Sequence, residues 1–496
     1  MKIQPFRRTI LVGVATASMI LLLISLVALT RSMRLTVAAS GNGGQSTSPS
    51  AVSGLLVPQS TAAYNGVITP SQVVFAPWLL GHTSVLRVYN AGDAPAVVQA
   101  AFSYTSSLSP ITVQPGTVAD IGATMVPTGT EFSAILTSTQ PIAVAVNDFG
   151  PVGQYATSYT AMSASVGRRA LALPDIFFEA HGGWESDLAL QNVGTATATL
   201  TVVYTKTNEP LTTTNWIDEA IPQLGPGDTY FFDPGQAGVP GKFVGVATVR
   251  SDQPVIAVVR NAVVNIATFH PNRAYAYRVP LPGPSSGSGR SLYYPLLLNE
   301  FEDWKKSEIQ VFNAASTGIN FTLDIGGVTS SEYIDRWTSQ SFPQDAPGSQ
   351  SPPGEAVAGR VANARSLQSL VWLNGEGRFI GDFLAAYSTP SVGARSWYLP
   401  FADQGDALTT FVAIQNLADV ATTISLTYHS MTGTVRVVND TVLGSVTAVY
   451  ASDAYVPAGF SGGVVVQTDQ DVTAVAVLSK RLVLDKEIFL PIALRK

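Results

Sequence analysis

Beyond Asn192 the chain alternates. Ala196, Ala198, Leu200, Val202 and Tyr204 are apolar or aromatic, and Thr197, Thr199, Thr201 and Val203 stand between them. Successive strand residues point to opposite faces, so the pattern predicts a half-buried antiparallel strand with one apolar and one Thr-rich face. It occurs four times: LRVYNAGDAPAVVQAAFSY (86–104), LALQNVGTATATLTVVY (188–204), IQVFNAASTGINFTLDI (309–325) and VAIQNLADVATTISLTY (412–428). Each reads as a short apolar strand, a turn opening on Asn, and a longer alternating strand. The third copy sets Ile319, Phe321, Leu323 and Ile325 against Asn320, Thr322 and Asp324. Asn90, Asn192, Asn313 and Asn416 open segments rich in turn formers, so turn chemistry rather than ligand binding is their expected role.

Other positions recur with this unit. Pro77, Pro174, Pro295, Pro400 and Pro491 each sit in an apolar stretch. Pro-Gly-type turns recur at Pro127, Pro240, Pro353 and Pro457. Each is followed by a Gln (Gln140, Gln253, Gln368, Gln470) that opens an apolar run such as PIAVAV (141–146), which predicts a fully buried strand. Repeats of roughly 100 residues are too long for solenoid units and match whole β-sandwich domains. Tyr64, Tyr159 and Tyr387 precede Pro77, Pro174 and Pro400 at similar distances. The chain thus opens with what resembles the tail of one repeat and closes with the start of another. This predicts that each Pro element straddles a junction, completing one sandwich and beginning the next, so that the repeats form a semi-rigid rod. Pro suits such an edge or kink because it donates no ladder hydrogen bond.

The expected fold is all-β: four tandem Ig-like antiparallel β-sandwich domains after an N-terminal transmembrane or signal helix. The expected boundaries are a signal anchor or signal peptide at 1–36, a flexible linker rich in Ser, Gly and Thr at 37–63, and sandwiches at 64–168, 169–289, 290–394 and 395–496. Lys2, Arg7 and Arg8 precede the uncharged stretch 9–30, which is long enough to cross a bilayer and also fits an export signal. The expected location is extracellular, tethered to the cell membrane through residues 9–30, with secretion after cleavage near Ala39 as the alternative.

Composition sharpens this picture. The 496 residues include 46% hydrophobic and 12% charged positions, which fits an extracellular all-β chain better than a cytosolic enzyme. There is no cysteine, so stability rests on sandwich cores rather than disulfides. The formal charge is −6. Lys2, Arg7, Arg8, Arg31 and Arg34 bring five positive charges to a leader without acids, so the remainder is more acidic than the whole. That argues against nucleic acid as a partner.

Catalytic signals are weak. Gly459-Phe460-Ser461-Gly462-Gly463 fits G-x-S-x-G, but a nucleophile elbow needs a strand-to-helix turn and an apolar strand pattern follows here. His181-Gly182-Gly183 fails for the same reason. His82, His181, His270 and His429 are scattered, without ligand spacing, and read as lone surface or loop residues. Asp403-Gln404-Gly405-Asp406 and Glu300-x-Glu302-Asp303 lack a complete calcium motif. No cofactor is expected. The candidate ligand-binding residues are aromatic: Trp78, directly after Pro77, and Trp184 and Trp304, both in the loop after a Pro element. Such tryptophans stack on sugars or anchor partners, or cap the end of a core.

The full set of features is a Pro element, Trp-x-Ser, an Asn turn, a Thr-rich strand ending in Tyr, a Pro-Gly-Phe-type turn and an SDQPV-like strand. It resembles tandem β-sandwich repeats in secreted and surface proteins of filamentous, Chloroflexus-like bacteria. More distantly it is similar to the Ig-like adhesion domains called CARDB. The resemblance covers about residues 64–496, and the third repeat departs most, with Ile325 in place of the strand-ending Tyr. It implies an exposed, non-catalytic surface role. The expected function is adhesion or cell-envelope structure, with the membrane and cell-wall glycan or surface proteins as the expected partners. A carbohydrate-binding protein using the loop tryptophans is the alternative, and a secreted hydrolase the third reading.

Overall fold

The alternating stretches form strands in the computed structural model, and each buries the face that the pattern marks. In 96–102 Ala96, Val98, Ala100 and Phe102 are buried between exposed neighbours. In 198–206 Ala198, Leu200, Val202 and Tyr204 point inward. The structure describes residues 62–480 except 68, 105–106, 150–155, 181–182, 207–215, 264–273, 280–290, 302–303, 337, 345–352, 354, 365, 378–380 and 406–407. At 216–222, 300, 301, 304–306, 374–377, 381–384, 408 and 480 it describes the backbone alone. The chain divides into residues 1–55 and the unit Leu56–Lys496, and all described residues belong to the latter. The expected leader helix and most of the linker lie outside them. No described helix is long and apolar enough to cross a membrane.

The described residues are almost entirely antiparallel β-structure in four sheets. The first strand, β1 (Ala62–Asn65), stands apart in sequence. The first sheet holds β2 (Ser71–Leu80), β3 (Ser84–Asn90), β4 (Ala96–Phe102), β5 (Ile111–Val113), β6 (Val118–Gly122), β7 (Glu131–Phe149) and β8 (Ala156–Thr160). The second holds β9 (Arg168–Phe178), β10 (Trp184–Asn192), β11 (Ala198–Lys206), β12 (Trp216–Leu224), β13 (Thr229–Phe232), β14 (Phe243–Val263) and β15 (Ala274–Arg278). In the third are β16 (Ser291–Phe301), β17 (Trp304–Asn313), β18 (Ile319–Ile325), β19 (Val328–Ile334), β20 (Ser339–Pro343), β21 (Glu355–Ala362), β22 (Leu367–Gly377) and β23 (Gly381–Ser388). The fourth has β24 (Ala394–Gln404), β25 (Leu408–Asn416), β26 (Thr422–Ser430), β27 (Gly433–Val442), β28 (Thr447–Ala451) and β29 (Phe460–Lys480).

One long strand organises each sheet. The first half of β7 pairs with β2 and β4, and its second half with β3 and β8. β14 divides its partners the same way between β9 with β11 and β10 with β15. Outside the third sheet, where Gln368 stands at the start of β22, the recurring Gln residues therefore mark something other than a strand start. Gln140, Gln253 and Gln470 lie inside long strands, where the partners change. In the third sheet the long strand is broken into β21 and β22, with Asn363 left-handed at φ 63°. The sequence irregularity there has this physical counterpart.

The expected rod does not form. β1 pairs with β29, Tyr64 opposite Ala476, so the first described strand completes the last sheet. Residues 64–65 are thus not part of the first sandwich, as the 64–168 boundary had it, and 62–63, expected in the linker, belong to the same strand. The cores follow the same circle. The first takes in Ala189, Ile256 and Val258 of the second sheet, and the second takes in Leu370 and Ala386 of the third. The third takes in Ala413, Val475 and Val477 of the fourth, and the fourth takes in Ala145 of the first. Four sheets that each bury apolar surface against both neighbours make a closed ring. At its centre β1, β8, β15 and β23 meet side by side.

The four described Pro elements do not straddle junctions either; the fifth, at Pro491, lies outside the described residues. β2, β9, β16 and β24 each lie wholly within one sheet. In all four, the ladder register breaks at the proline and the residue after it: between Ala76 and Leu79, Leu173 and Ile176, Tyr294 and Leu297, and Leu399 and Ala402. A proline cannot donate to the ladder, and a bulge is where a strand tolerates one.

Candidate functional site

Most of the repeated polar residues serve the scaffold. Asn90, Asn192, Asn313 and Asn416 are all buried. Each side-chain carbonyl accepts the N–H two residues on, from Gly92, Gly194, Ala315 and Ala418. Each amide donates to the carbonyl four residues on, from Ala94, Ala196, Thr317 and Val420. It also donates to a neighbouring segment, at Val113, Leu224, Ile334 or Val442. These are Asx turns stapled to a neighbouring strand, so the side chains are engaged with the scaffold.

The tyrosines repair the proline bulges. Tyr159 donates its hydroxyl to the Trp78 carbonyl at 2.5 Å and accepts the Trp78 N–H at 3.1 Å. Tyr387 does the same at Leu296, at 2.6 and 3.2 Å. Tyr64 serves Phe401, accepting its N–H at 2.9 Å and donating to its carbonyl. Tyr277 donates to the Pro174 carbonyl. A bulge orphans buried backbone groups that are costly to leave unpaired, and the phenol is both donor and acceptor. Burial raises all four phenols above their ordinary range.

The bulge also turns the residue after each proline toward the next sheet. These four residues, Trp78, Asp175, Leu296 and Phe401, mark the seams of the ring, and the seams carry the unusual chemistry. At the first seam Trp78 is 1% exposed and lies under the Arg260 guanidinium, 4.9 Å from its centroid. Arg260 also pairs with Asp187 at 3.0 Å. No ring face of Trp78 is open for a sugar, so its ligand role gives way to a core role. Asp148 lies buried at this seam. Burial raises its pKa, against the lowering field of Arg260 and bonds from Thr83 and Ser84.

The second seam gathers aromatics around a carboxylate. Trp184 is half-buried, 5.8 Å from Tyr275 and 6.2 Å from Phe177. Trp372 of the third sheet closes the cluster, 5.8 Å from Tyr275 and 6.1 Å from Phe177. Its indole N–H donates to Asp175 Oδ2 at 2.8 Å. Burial raises the Asp175 carboxyl to about 8; the Trp372 bond pulls it down and the Glu308 charge pushes it up. Asn261 fixes the backbone beneath, donating to the Asp175 carbonyl at 3.0 Å and to the Tyr275 hydroxyl at 2.8 Å. Trp184 thus joins a packed cluster rather than standing alone on a loop. Trp304 begins β17, opposite Phe301 and Gly375, but its side chain lies outside the described residues.

The closing seam, between fourth and first sheets, is ionic. Arg87 is 3% exposed, and all five of its N–H donors are used. Nε and Nη2 form a fork on Asp120 at 2.7 and 2.8 Å. Nη1 reaches Asp403 Oδ1 at 2.8 Å and the Gly462 carbonyl at 3.2 Å. Nη2 also reaches Ser461 Oγ at 2.8 Å. The guanidinium lies over the Phe401 ring at 4.0 Å. Burial lowers the Arg87 pKa, but Asp403 and Asp120 more than offset it and the net shift is upward. Ser461 therefore accepts from an arginine, and Asp403 is an ion-pair partner. Asp406, Glu302 and Asp303 lie outside the described residues. Among the described residues no group of three or more His, Cys, Asp and Glu is placed to hold a metal.

His429 departs from the expectation of a surface or loop histidine. It lies buried in β26 at the closing seam, 5.4 Å from the Tyr89 ring. Burial lowers its pKa, opposed by a bond to the Gly116 backbone. His82 is an exposed turn residue with φ 64°; His181 and His270 are outside the described residues. The sequence reading missed Asp175, Trp372, Arg87 and Tyr277. Comparing the residue after each proline would have exposed Asp175, a carboxylate standing where Trp78, Leu296 and Phe401 are apolar.

No family model matches the chain, and no curated protein matches it. Among solved structures, glycoside hydrolase family 32 from Bifidobacterium adolescentis is similar over 83% of this chain and 99% of that one, at 8% identity and a TM-score of 0.14. A likeness that low carries neither fold nor activity to this chain.

Proposed function

We propose that the chain is a non-catalytic extracellular surface protein serving adhesion or cell-envelope structure. Its four Ig-like sandwiches are closed into a ring, tethered to the membrane through residues 9–30. The observation that carries this reading is the fate of the repeated polar residues. The Asn, Tyr and Ser/Thr positions common to the repeats are bonded to backbone, as in Ser84, Ser186, Ser307 and Thr410 accepting the N–H of Leu80, Phe177, Leu298 and Asp403. Repetition has preserved scaffold rather than a reaction centre. The test is a cell-wall and whole-cell pull-down with the purified full chain, alongside product analysis on wall polysaccharide. Retention without bond cleavage is the expected result. Release of oligosaccharide would overturn it.

A second reading, carbohydrate binding, is favoured at one place, where half-buried Trp184 and Trp372 lie beside Asp175 and Glu308. Apolar rings beside carboxylates are the materials of a sugar site. This reading expects polysaccharide to quench tryptophan fluorescence, with the quench abolished by Trp184→Ala together with Trp372→Ala. Quenching that survives both changes would sink it.

A further inference from the structure

The four strands at the centre of the ring carry equivalent residues around its axis. Aligned on their tyrosines, β1 reads Ala63-Tyr64-Asn65, β8 Ser158-Tyr159-Thr160, β15 Ala276-Tyr277-Arg278 and β23 Ala386-Tyr387-Ser388. Each tyrosine turns outward into its own sheet to reach a proline bulge. Strand alternation then turns its two neighbours to the axis. The preceding positions hold three alanines and a serine, small enough for four backbones to converge. The following positions form a polar ring in the order Asn65, Thr160, Arg278, Ser388, set by the neighbours β1–β8–β15–β23–β1. Together these residues line an axial cavity of ≈ 10 Å³, about the space that one water-sized particle needs.

The ring carries one charge and no carboxylate. Among the described residues the Arg278 guanidinium has no hydrogen bond or ion pair, in contrast to Arg87, whose five donors are all engaged. Burial alone shifts its pKa, down to about 10, with no nearby acid raising it; it is cationic at neutral pH. Thr160 Oγ1 is buried without a partner. Ser388 Oγ accepts from Asn65 Nδ2 at 2.8 Å, which leaves its own proton free to point at the axis. Arg278 is partly exposed at the end of its strand, and a partly buried cation without a counter-charge still carries a desolvation cost. The surrounding groups, a guanidinium and two hydroxyls, are donors. The remaining unpaired atom is Asn65 Oδ1, on the strand opposite that of Arg278 in this order.

We infer that the axial cavity binds one small monovalent anion of halide size, held by Arg278 with hydroxyl donors from Thr160 and Ser388. The cavity is too small for a phosphate or a sugar, and its donors suit an ion that only accepts hydrogen bonds. Such an ion would tie three of the four sheets to one point and stabilise the closed ring by mass action.

The test uses the purified full chain and chloride or bromide as the probe, at constant ionic strength with gluconate as the replacement. The melting temperature should rise saturably with halide for the native chain and lose that dependence in Arg278→Gln. Thr160→Val should weaken halide affinity by about tenfold, the loss of one hydrogen bond to a charged group. Crystals grown in bromide should show an anomalous peak within hydrogen-bond distance of Arg278. That measurement on the native chain stands even if Arg278→Gln fails to fold. A halide response unchanged in both variants, equal stabilisation by gluconate, or water on the axis in bromide crystals would overturn the inference.

Discussion

The closing seam and the second seam solve the same problem in opposite ways. Both must take a charged residue out of water at or beside the position that follows a proline, Arg87 buried and Asp175 partly so. At the closing seam Arg87 is given two carboxylates, a hydroxyl, a carbonyl and the Phe401 ring, so its charge is fully answered. At the second seam the carboxylate itself follows the proline, and Asp175 receives one indole N–H among aromatics. A buried charge with every bond made is tolerated; one with a single donor moves its pKa toward neutrality instead. The two seams should therefore fail at opposite ends of the pH scale. The Asp175 pKa is raised from 3.8 to about 8. Its contribution to stability is whole below the unfolded value and lost as pH climbs through about 8. His429 at the closing seam is lowered from 6.5. Its contribution is present above that value and lost as pH falls toward the native one.

The comparison is broken most directly by removing the closure. Deleting residues 1–65 takes out β1 and the Tyr64 bonds, and should cost more than about 5 kcal/mol. Calorimetry should show a lower or less cooperative transition, and light scattering should report association through the bared edge of β29. Next is Arg87→Ala, which strands two partly buried carboxylates at the closing seam. A loss of about 3–5 kcal/mol in urea unfolding is expected. A loss below 1 kcal/mol would mean that Asp120 and Asp403 are better hydrated than their 19% side-chain exposure suggests.

Asp175→Asn sharpens the contrast with a gain. Asn keeps an acceptor for Trp372, tolerates the left-handed φ of 58° and carries no charge. Thermal melts should show it more stable than the native chain by about 1–3 kcal/mol at pH 9, with the difference vanishing near pH 4. A difference independent of pH would locate the effect in packing instead. Smallest is His429→Gln, expected to change neutral-pH stability by less than about 1 kcal/mol while flattening the loss as pH falls below 6.5. If the acid limb keeps its slope, the closing seam owes its pH response to another group.

Much of this architecture was legible because it rests on local signals. Alternation at 96–102 and 198–206 gave the buried faces correctly, since period-2 patterning reports burial directly. The Asn turns were legible because Asx chemistry involves residues two to four apart. The ring was not. Tyr64 looked like the tail of a missing repeat, and nothing nearby in the sequence says that its partner is Phe401. The chemistry at the seams was hidden for the same reason. Asp175 meets Trp372, and Arg87 meets Asp403, across separations that no spacing rule spans. Trp78 misled in the other direction, because a tryptophan beside a proline at a repeat start reads like a loop anchor until the bulge is seen to turn it into a seam.

The placement of β1 in the last sheet has a consequence for biosynthesis. This strand leaves the ribosome before any other described one, yet its hydrogen-bonding partner β29 is made last. Tyr64 and Phe401 lie 337 positions apart, so their contact closes a loop of nearly the whole ring, the slowest kind to form. The first three sheets can assemble as they emerge, whereas the fourth waits for a strand held in reserve since the start of translation. A product that stops short of β29 has no partner for the hydrogen bonds of β1, and so carries an unpaired strand that quality control can recognise. Two full-length chains made close together face the converse hazard, each offering its early strand to the other's late sheet.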